Sequence, residues 1–132
     1  ISDEGKAFSG TVTYTTAFTL RGKTPKQKYL LDLGRVESIA KVKINGKEVC
    51  TLWTFPYQAD VTQYLKDGLN KVEIQVTNTW FNRLVYDGNQ PEDKRKTWTI
   101  NAPHPSSPLR ESGLMGPVTI HKFRVSKVAS KN

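Results

Sequence analysis

Ile39-Ala40-Lys41-Val42-Lys43-Ile44-Asn45-Gly46-Lys47-Glu48-Val49-Cys50-Thr51-Leu52 is the stretch that decides the fold. Two alternating runs flank Asn45-Gly46. A two-residue Asn-Gly connection favours a type I′ hairpin, because both central positions need positive φ. Such a turn predicts Val42 opposite Val49 on one face and Lys43 opposite Glu48 on the other. Lys41 and Lys43 then form the solvated face of an amphipathic strand.

The same period of two extends outward in both directions. From Phe8 to Leu20 the apolar Phe8, Val12, Tyr14, Phe18 and Leu20 fall on even positions, with threonine at most odd ones. That predicts a half-buried strand long enough to bend across a sandwich. Tyr29–Leu33 reads as a second, short strand. Phe55-Pro56 interrupts the pattern, since proline lacks an amide donor and restricts its predecessor. Tyr57–Asp60 then resumes as a strand, and Asp60–Leu65 reads as one helical turn with Asp60 or Thr62 as N-cap. Asp67-Gly68 ends that turn. Lys71–Thr77 points Val72, Ile74 and Val76 inward.

Between Thr79 and Gly116 the regular pattern fails, apart from Thr97-Trp98-Thr99-Ile100. A last strand is expected over Pro117–Val125, with a bulge near His121 because the apolar positions change parity there. About eight strands with tight turns and no long helix predict an all-β fold. An antiparallel β-sandwich or jelly roll is the natural solution.

The chain has 132 residues, 36% hydrophobic, 24% charged and 10% aromatic. That is one globular domain, large enough to hold a core without staples. No apolar run approaches the roughly 18 residues of a membrane span, and no signal peptide is visible. The chain starts at Ile1 and its one methionine is Met115; the expectation is a processed protein or a domain of something larger. Cys50 is the lone cysteine, so no intrachain disulfide forms. His104 and His121 are too few for a zinc cluster without carboxylates.

A net charge of +8 invites a nucleic-acid reading, so its distribution matters. Residues 21–47 hold eight Lys/Arg and two acids, and residues 112–132 hold four Lys/Arg and no acid. The aromatics lie elsewhere, in 53–98. A binder that stacks bases on aromatics within a basic groove would bring the two together. No nucleic-acid or membrane partner is therefore expected.

Catalytic motifs are missing from the sequence: there is no G-x-S-x-G, H-E-x-x-H, P-loop or G-x-G-x-x-G. Asp60 reads as a capping residue, Asp87 as a turn residue beside Gly88, and His104 as an exposed loop side chain. The aromatics say more. Trp53, Trp80 and Trp98, with Phe55, Tyr57, Phe81 and Tyr86, fall at strand ends or in loops. Loops at one end of a sandwich converge, and an indole offers a large apolar face with one donor. Such a surface suits carbohydrate, whose hydroxyls then need planar amides, carboxylates or guanidinium groups. Asn82 and Arg83, beside Trp80, are polar neighbours of the right kind. The candidate ligand-binding residues are Trp53, Tyr57, Trp80, Asn82, Arg83 and Trp98. The alternative is that these aromatics plug the sandwich ends or pack on a neighbouring domain.

Several segments in order carry a family resemblance: Phe8–Tyr14, Leu31–Gly34, Ile39–Lys47, Leu52-Trp53, Pro56-Tyr57, Asp60–Thr62, Val76–Leu84 and Ser112–Val118. Together they resemble the galactose-binding-like jelly roll of family 2-like glycoside hydrolases, most closely the C-terminal domain of family 106-type bacterial rhamnosidases. The resemblance implies that residues 1–132 form a single non-catalytic β-sandwich from the C-terminal part of a larger, extracytoplasmic glycoside hydrolase. Its partners would be carbohydrate and a catalytic domain of the same chain. It also implies that the Thr51–Gln58 loop approaches the active-site region, so that Trp53 and Tyr57 contact sugar or the neighbouring domain. Cys50 departs from the pattern, where a small residue is expected, and so does the charged Asp87–Lys96 loop. Domains of this type often hold a structural calcium, but no compact ligand run assigns one here, and no other cofactor is identified.

Overall fold

A computed structural model describes Ser2, Gly5 and residues 7–126. Lys127 and Lys131 of the second basic segment lie outside the described residues. Asn45 and Gly46 take φ of 51° and 80°, and the hairpin forms between β4 (Ile39–Ile44) and β5 (Lys47–Leu52). Lys43 pairs with Glu48 as expected. Val42, however, faces Cys50 rather than Val49, because a register shift between Val42 and Lys43 inserts Val49 as an extra residue.

The hairpin joins a larger antiparallel sheet with β1 (Thr11–Leu20) and β7 (Gly68–Thr77), in the order β1-β7-β4-β5. The turn is tied to β7 by side-chain chemistry. The Asn45 amide donates to Tyr64 O at 3.0 Å and Asn70 Oδ1 at 2.9 Å, and its Oδ1 accepts the Lys71 N–H at 2.9 Å. On the solvated face Lys41 meets Glu48 at 3.4 Å and Lys43 meets Glu73 at 4.0 Å. Part of the basic segment is thus neutralised on a strand face.

The second sheet contains β2 (Gln27–Asp32), β6 (Gln58–Asp60) and β9 (Thr119–Arg124), ordered β6-β2-β9. A two-stranded ribbon of β3 (Arg35–Glu37) and β8 (Gly113–Gly116) closes one end. Tyr29, Leu31 and Leu33 from the second sheet side meet Val42, Ile44, Val72, Ile74 and Val76 from the first in one core. This is an antiparallel all-β sandwich. The expected cap changes: the N-cap of the short 3-10 turn over Thr62–Tyr64 is Val61, without a side-chain cap bond, and Oδ1 of Asp60, one residue earlier, accepts the Thr62 N–H at 2.9 Å.

Two expectations about strands change. β2 and β9 pair without a register shift from Gln27↔Arg124 to Asp32↔Thr119, so there is no bulge at His121. The parity change arises because Phe123 shares the outer face with Lys28 and is exposed. The second change concerns β1, which is an edge strand. Its even positions face inward, yet Tyr14 and Thr16 remain exposed. The second sheet is narrower, and β6 borders β5, so the uncovered margin is the one along β1.

Thr79–Gly116 is not structureless. It opens with a helix, α1 (Phe81–Gly88), that alternation does not reveal. Thr97–Ile100 forms no strand, and Trp98 and Ile100 project into solvent.

Candidate functional site

Antiparallel register gathers several loops at one end of the first sheet. Thr11 lies opposite Thr77, Ile39 opposite Thr77 and Ala40 opposite Leu52. The start of β1, the end of β7, the start of β4 and the end of β5 therefore share one end. Trp53 follows β5 and Trp80 follows β7, so the expectation that the aromatic loops converge holds for these two.

α1 organises this end. It has no side-chain N-cap and buries Asn82, Val85 and Asp87. Two of its three buried residues are therefore polar, and each holds the long loop that follows. Asn82 and Arg110 form a reciprocal pair: the Asn82 amide donates to Arg110 O at 2.6 Å, and the Arg110 N–H donates to Asn82 Oδ1 at 2.7 Å. The Arg110 guanidinium also lies 3.7 Å from the Phe81 ring centroid.

Asp87, expected as a turn residue beside Gly88, lies fully buried in the last turn of α1. Its Oδ2 accepts the Thr97 hydroxyl at 2.7 Å, the Lys96 N–H at 3.1 Å and Arg83 Nε at 3.2 Å. Its Oδ1 lies 3.0 Å from Arg83 Nη2, an i,i+4 ion pair. Burial by itself would raise the Asp87 pKa. The Thr97 and Arg83 hydrogen bonds, the Arg83 charge and the Lys96 N–H outweigh it and hold the carboxyl below the usual aspartate value.

The six candidate residues thus divide. Trp53, Trp80 and Trp98 are 67%, 61% and 78% exposed. Tyr57 is buried, and its hydroxyl donates to Ser38 O at 2.8 Å and sits 3.3 Å from Trp53 O; it braces the loop beneath Trp53 instead of presenting a ring to ligand. Asn82 and Arg83 are committed to Arg110 and Asp87. Their polar groups are engaged with the chain itself, Arg83 while still lining the groove beside Trp80.

Trp80 lines an open groove of about 610 Å³ with Phe8, Arg83, Lys96 and Thr97. Trp98 lines an adjoining groove of about 380 Å³ with Glu92, Arg95, Lys96 and Thr97. The two share Lys96 and Thr97, and Trp53 lines neither. Arg95 is the residue that sequence reasoning missed; its signal was only its place three residues before Trp98. A further groove, about 660 Å³, lies at the other end between the β1–β2 loop and Asp60–Gln63. Its Lys23 amine is spent on Leu65 O at 2.6 Å and its Thr62 hydroxyl on the Tyr29 N–H at 2.9 Å, and no aromatic faces it. Among the described residues no group of three or more His, Cys, Asp or Glu gathers as a metal cluster.

Comparison with known proteins agrees with this architecture. The family described as "Glycosyl hydrolase 2 galactose-binding domain-like" matches residues 6–114. A protein of Formosa agariphila named "Putative beta-glucuronidase" is 40% identical over 148 aligned residues, covering 92% of this chain and 13% of that protein. The structure of a rhamnosidase from Novosphingobium sp. PP1Y superposes with a TM-score of 0.83 at 40% identity, over 92% of this chain and 12% of that one. An FMN-binding beta-glucuronidase from Facaelibacterium prausnitzii L2-6 shares the fold at 18% identity, with a TM-score of 0.59 over 89% of this chain and 16% of that one. The chain spans only a small part of each of these relatives.

Proposed function

The chain belongs to the glycosyl hydrolase 2 galactose-binding domain-like family, and on that premise we propose that it is a non-catalytic accessory domain of a longer glycoside hydrolase, meeting glycan through its aromatic loop end. The observation that carries the reading is the pair of exposed indoles, Trp80 and Trp98, on grooves that meet at Lys96-Thr97. An indole face offers a sugar ring its apolar contact, and backbone and side-chain polar groups nearby take the hydroxyls. The relatives' names, a glucuronidase and a rhamnosidase, support a setting among saccharides. A polymeric substrate would place the parent enzyme outside the cytoplasm.

Isothermal titration of the 132-residue chain against neutral and acidic oligosaccharides, with tryptophan fluorescence in parallel, tests the glycan contact. Heat and a fluorescence change at millimolar sugar are the expected result. Silence in both measurements with every sugar would remove it.

One observation favours a second reading, in which the domain packs on its catalytic partner without ligand. β1 offers ten uncharged residues, an unpaired edge among the described residues and a partly bare inner face. Natural sheets seldom leave such an edge open. Deleting residues 1–132 from a soluble parent enzyme separates a domain with a role from one without: unchanged activity and stability would count against both readings.

A further inference from the structure

Arg95 is a member of the aromatic end whose charge is held in place and, among the described residues, left without a carboxylate partner. Its Nε donates to Gln90 O at 2.9 Å, and its Nη2 lies 3.5 Å from Gly88 O. Both acceptors are backbone carbonyls just beyond or at the end of α1. They orient the planar guanidinium without neutralising it, and no carboxylate lies within ion-pair distance of it among the described residues. Among the described residues no partner takes Nη1. Arg83, by contrast, is matched by Asp87.

The support beneath Arg95 is built from buried groups. Asp87 fixes the backbone at Lys96 and the hydroxyl of Thr97, the residues between Arg95 and Trp98. A pre-oriented guanidinium loses little freedom on forming a two-point contact, and its fork matches carboxylate or sulfate oxygens. Beside it in the same groove stands the exposed Trp98 indole. Glu92 also lines the groove, and a carboxylate there suits a sugar hydroxyl and disfavours an anion at its own side.

Resting on the glycan-contact reading above, we propose that the Arg95–Trp98 groove is a subsite for an anionic sugar residue, its ring on Trp98 and its carboxylate or sulfate on Arg95. The two broad basic segments of the sequence play no part in this site. Selectivity for acid comes from one anchored arginine instead.

The test is titration of the 132-residue chain with three probes of equal length: a β-1,4-glucuronan tetrasaccharide, cellotetraose, and a sulfated galactan tetrasaccharide. Glucuronan and cellotetraose differ only in carboxylate against hydroxymethyl. The expected result is binding of a charged probe about ten-fold tighter than cellotetraose. Arg95→Gln should abolish that preference while leaving cellotetraose unchanged, and Trp98→Ala should weaken all probes about ten-fold. Lys26→Gln, the same charge change on an exposed residue at the opposite end, controls for the net +8. The carboxylated and sulfated arms show which anion is preferred. Equal affinity for charged and neutral probes overturns the subsite while the glycan-contact reading stands. So does an Arg95→Gln loss no greater than that of Lys26→Gln. Failure of all three probes to bind overturns both.

Discussion

Replacing Asp87 by asparagine should cost this domain about 3 kcal/mol and loosen the loop that carries Trp98. The carboxylate receives four contacts at 2.7–3.2 Å from Arg83, Lys96 and Thr97. Asparagine keeps the shape and can still accept from Thr97 or Lys96, so the loss is mainly the partner charge of Arg83. Removing one member of a buried pair costs about 3–5 kcal/mol, because the other charge is left uncompensated. The Arg83 side chain retains 13% exposure and can turn toward the open groove, which argues for the lower end. For a domain this size about 3 kcal/mol corresponds to a fall in Tm of roughly 10 °C. Alanine removes the remaining neutral hydrogen bonds as well, at about 1 kcal/mol each.

The pH dependence follows from the lowered folded-state pKa. A depressed carboxylate contributes its stabilisation above the unfolded value, near 3.9, and loses it as pH falls through the folded value. Asp87→Asn should therefore lose stability at pH 7 and show a shallower decline below about pH 4. Asp32 and Asp60, also lowered by hydrogen bonds, keep part of that decline in both proteins. Urea unfolding read by circular dichroism at pH 7 and at pH 3.5 measures both effects, and amide exchange at Lys96 reports the loop. A variant within about 0.5 kcal/mol of the parent at pH 7, with an unchanged acid limb and a protected Lys96 amide, would refute the latch.

Gly34→Ala should unfold the ribbon end at a cost of about 3 kcal/mol, measurable in thermal melts: φ is +64°, and a Cβ would lie 2.5 Å from Gly116 C and 2.6 Å from its O. Tyr57→Phe should lose about 1 kcal/mol of stability through its two carbonyl contacts, with oligosaccharide affinity unchanged in titration. Asn45→Ala combines a residue at φ 51° with the loss of three tertiary hydrogen bonds; about 3 kcal/mol is expected by urea unfolding. Asn45→Gly, which relieves only the backbone, should recover less than half of that loss.

How far the fold could be read from residues depended on whether a local rule and burial agreed. Asn45-Gly46 fixes its own dihedrals, and Val72, Ile74 and Val76 are covered on one face only, so turn and strand both show in the alternation. The Val42 register is different. A bulge is chosen by sheet twist and the neighbouring β7, which alternation in β4 and β5 does not encode. α1 escapes for a chemical reason. Its buried positions are Asn82, Val85 and Asp87, so the short apolar stripe of Phe81, Leu84 and Val85 is joined by polar side chains whose burial the sequence pattern does not announce. The helical signals present were short: the Arg83–Asp87 spacing of four and the Phe81, Leu84, Val85 spacing.

The candidate site was read by residue type, and types alone do not say which polar groups are already spent. Asn82 and Arg83 have the right chemistry for sugar and the right neighbours in Trp80 and Phe81. A helix of eight residues with no capping side chain, however, is too short to persist on propensity and needs tertiary anchors. Those two and Asp87 are among its anchors here, with the buried Val85 and with Phe81 under the Arg110 guanidinium, so their engagement with Arg110, Lys96 and Thr97 helps the helix persist. The same engagement holds the 89–112 loop against α1 at Asp87 and Asn82, and at Asn89, whose amide donates to Pro105 O at 2.7 Å. A loop held at those points can present Arg95 and Trp98 to solvent without collapsing on them. On the proposed reading, engaging Asn82 and Arg83 within the chain is what lets the loop offer Arg95 and Trp98 as the contact pair.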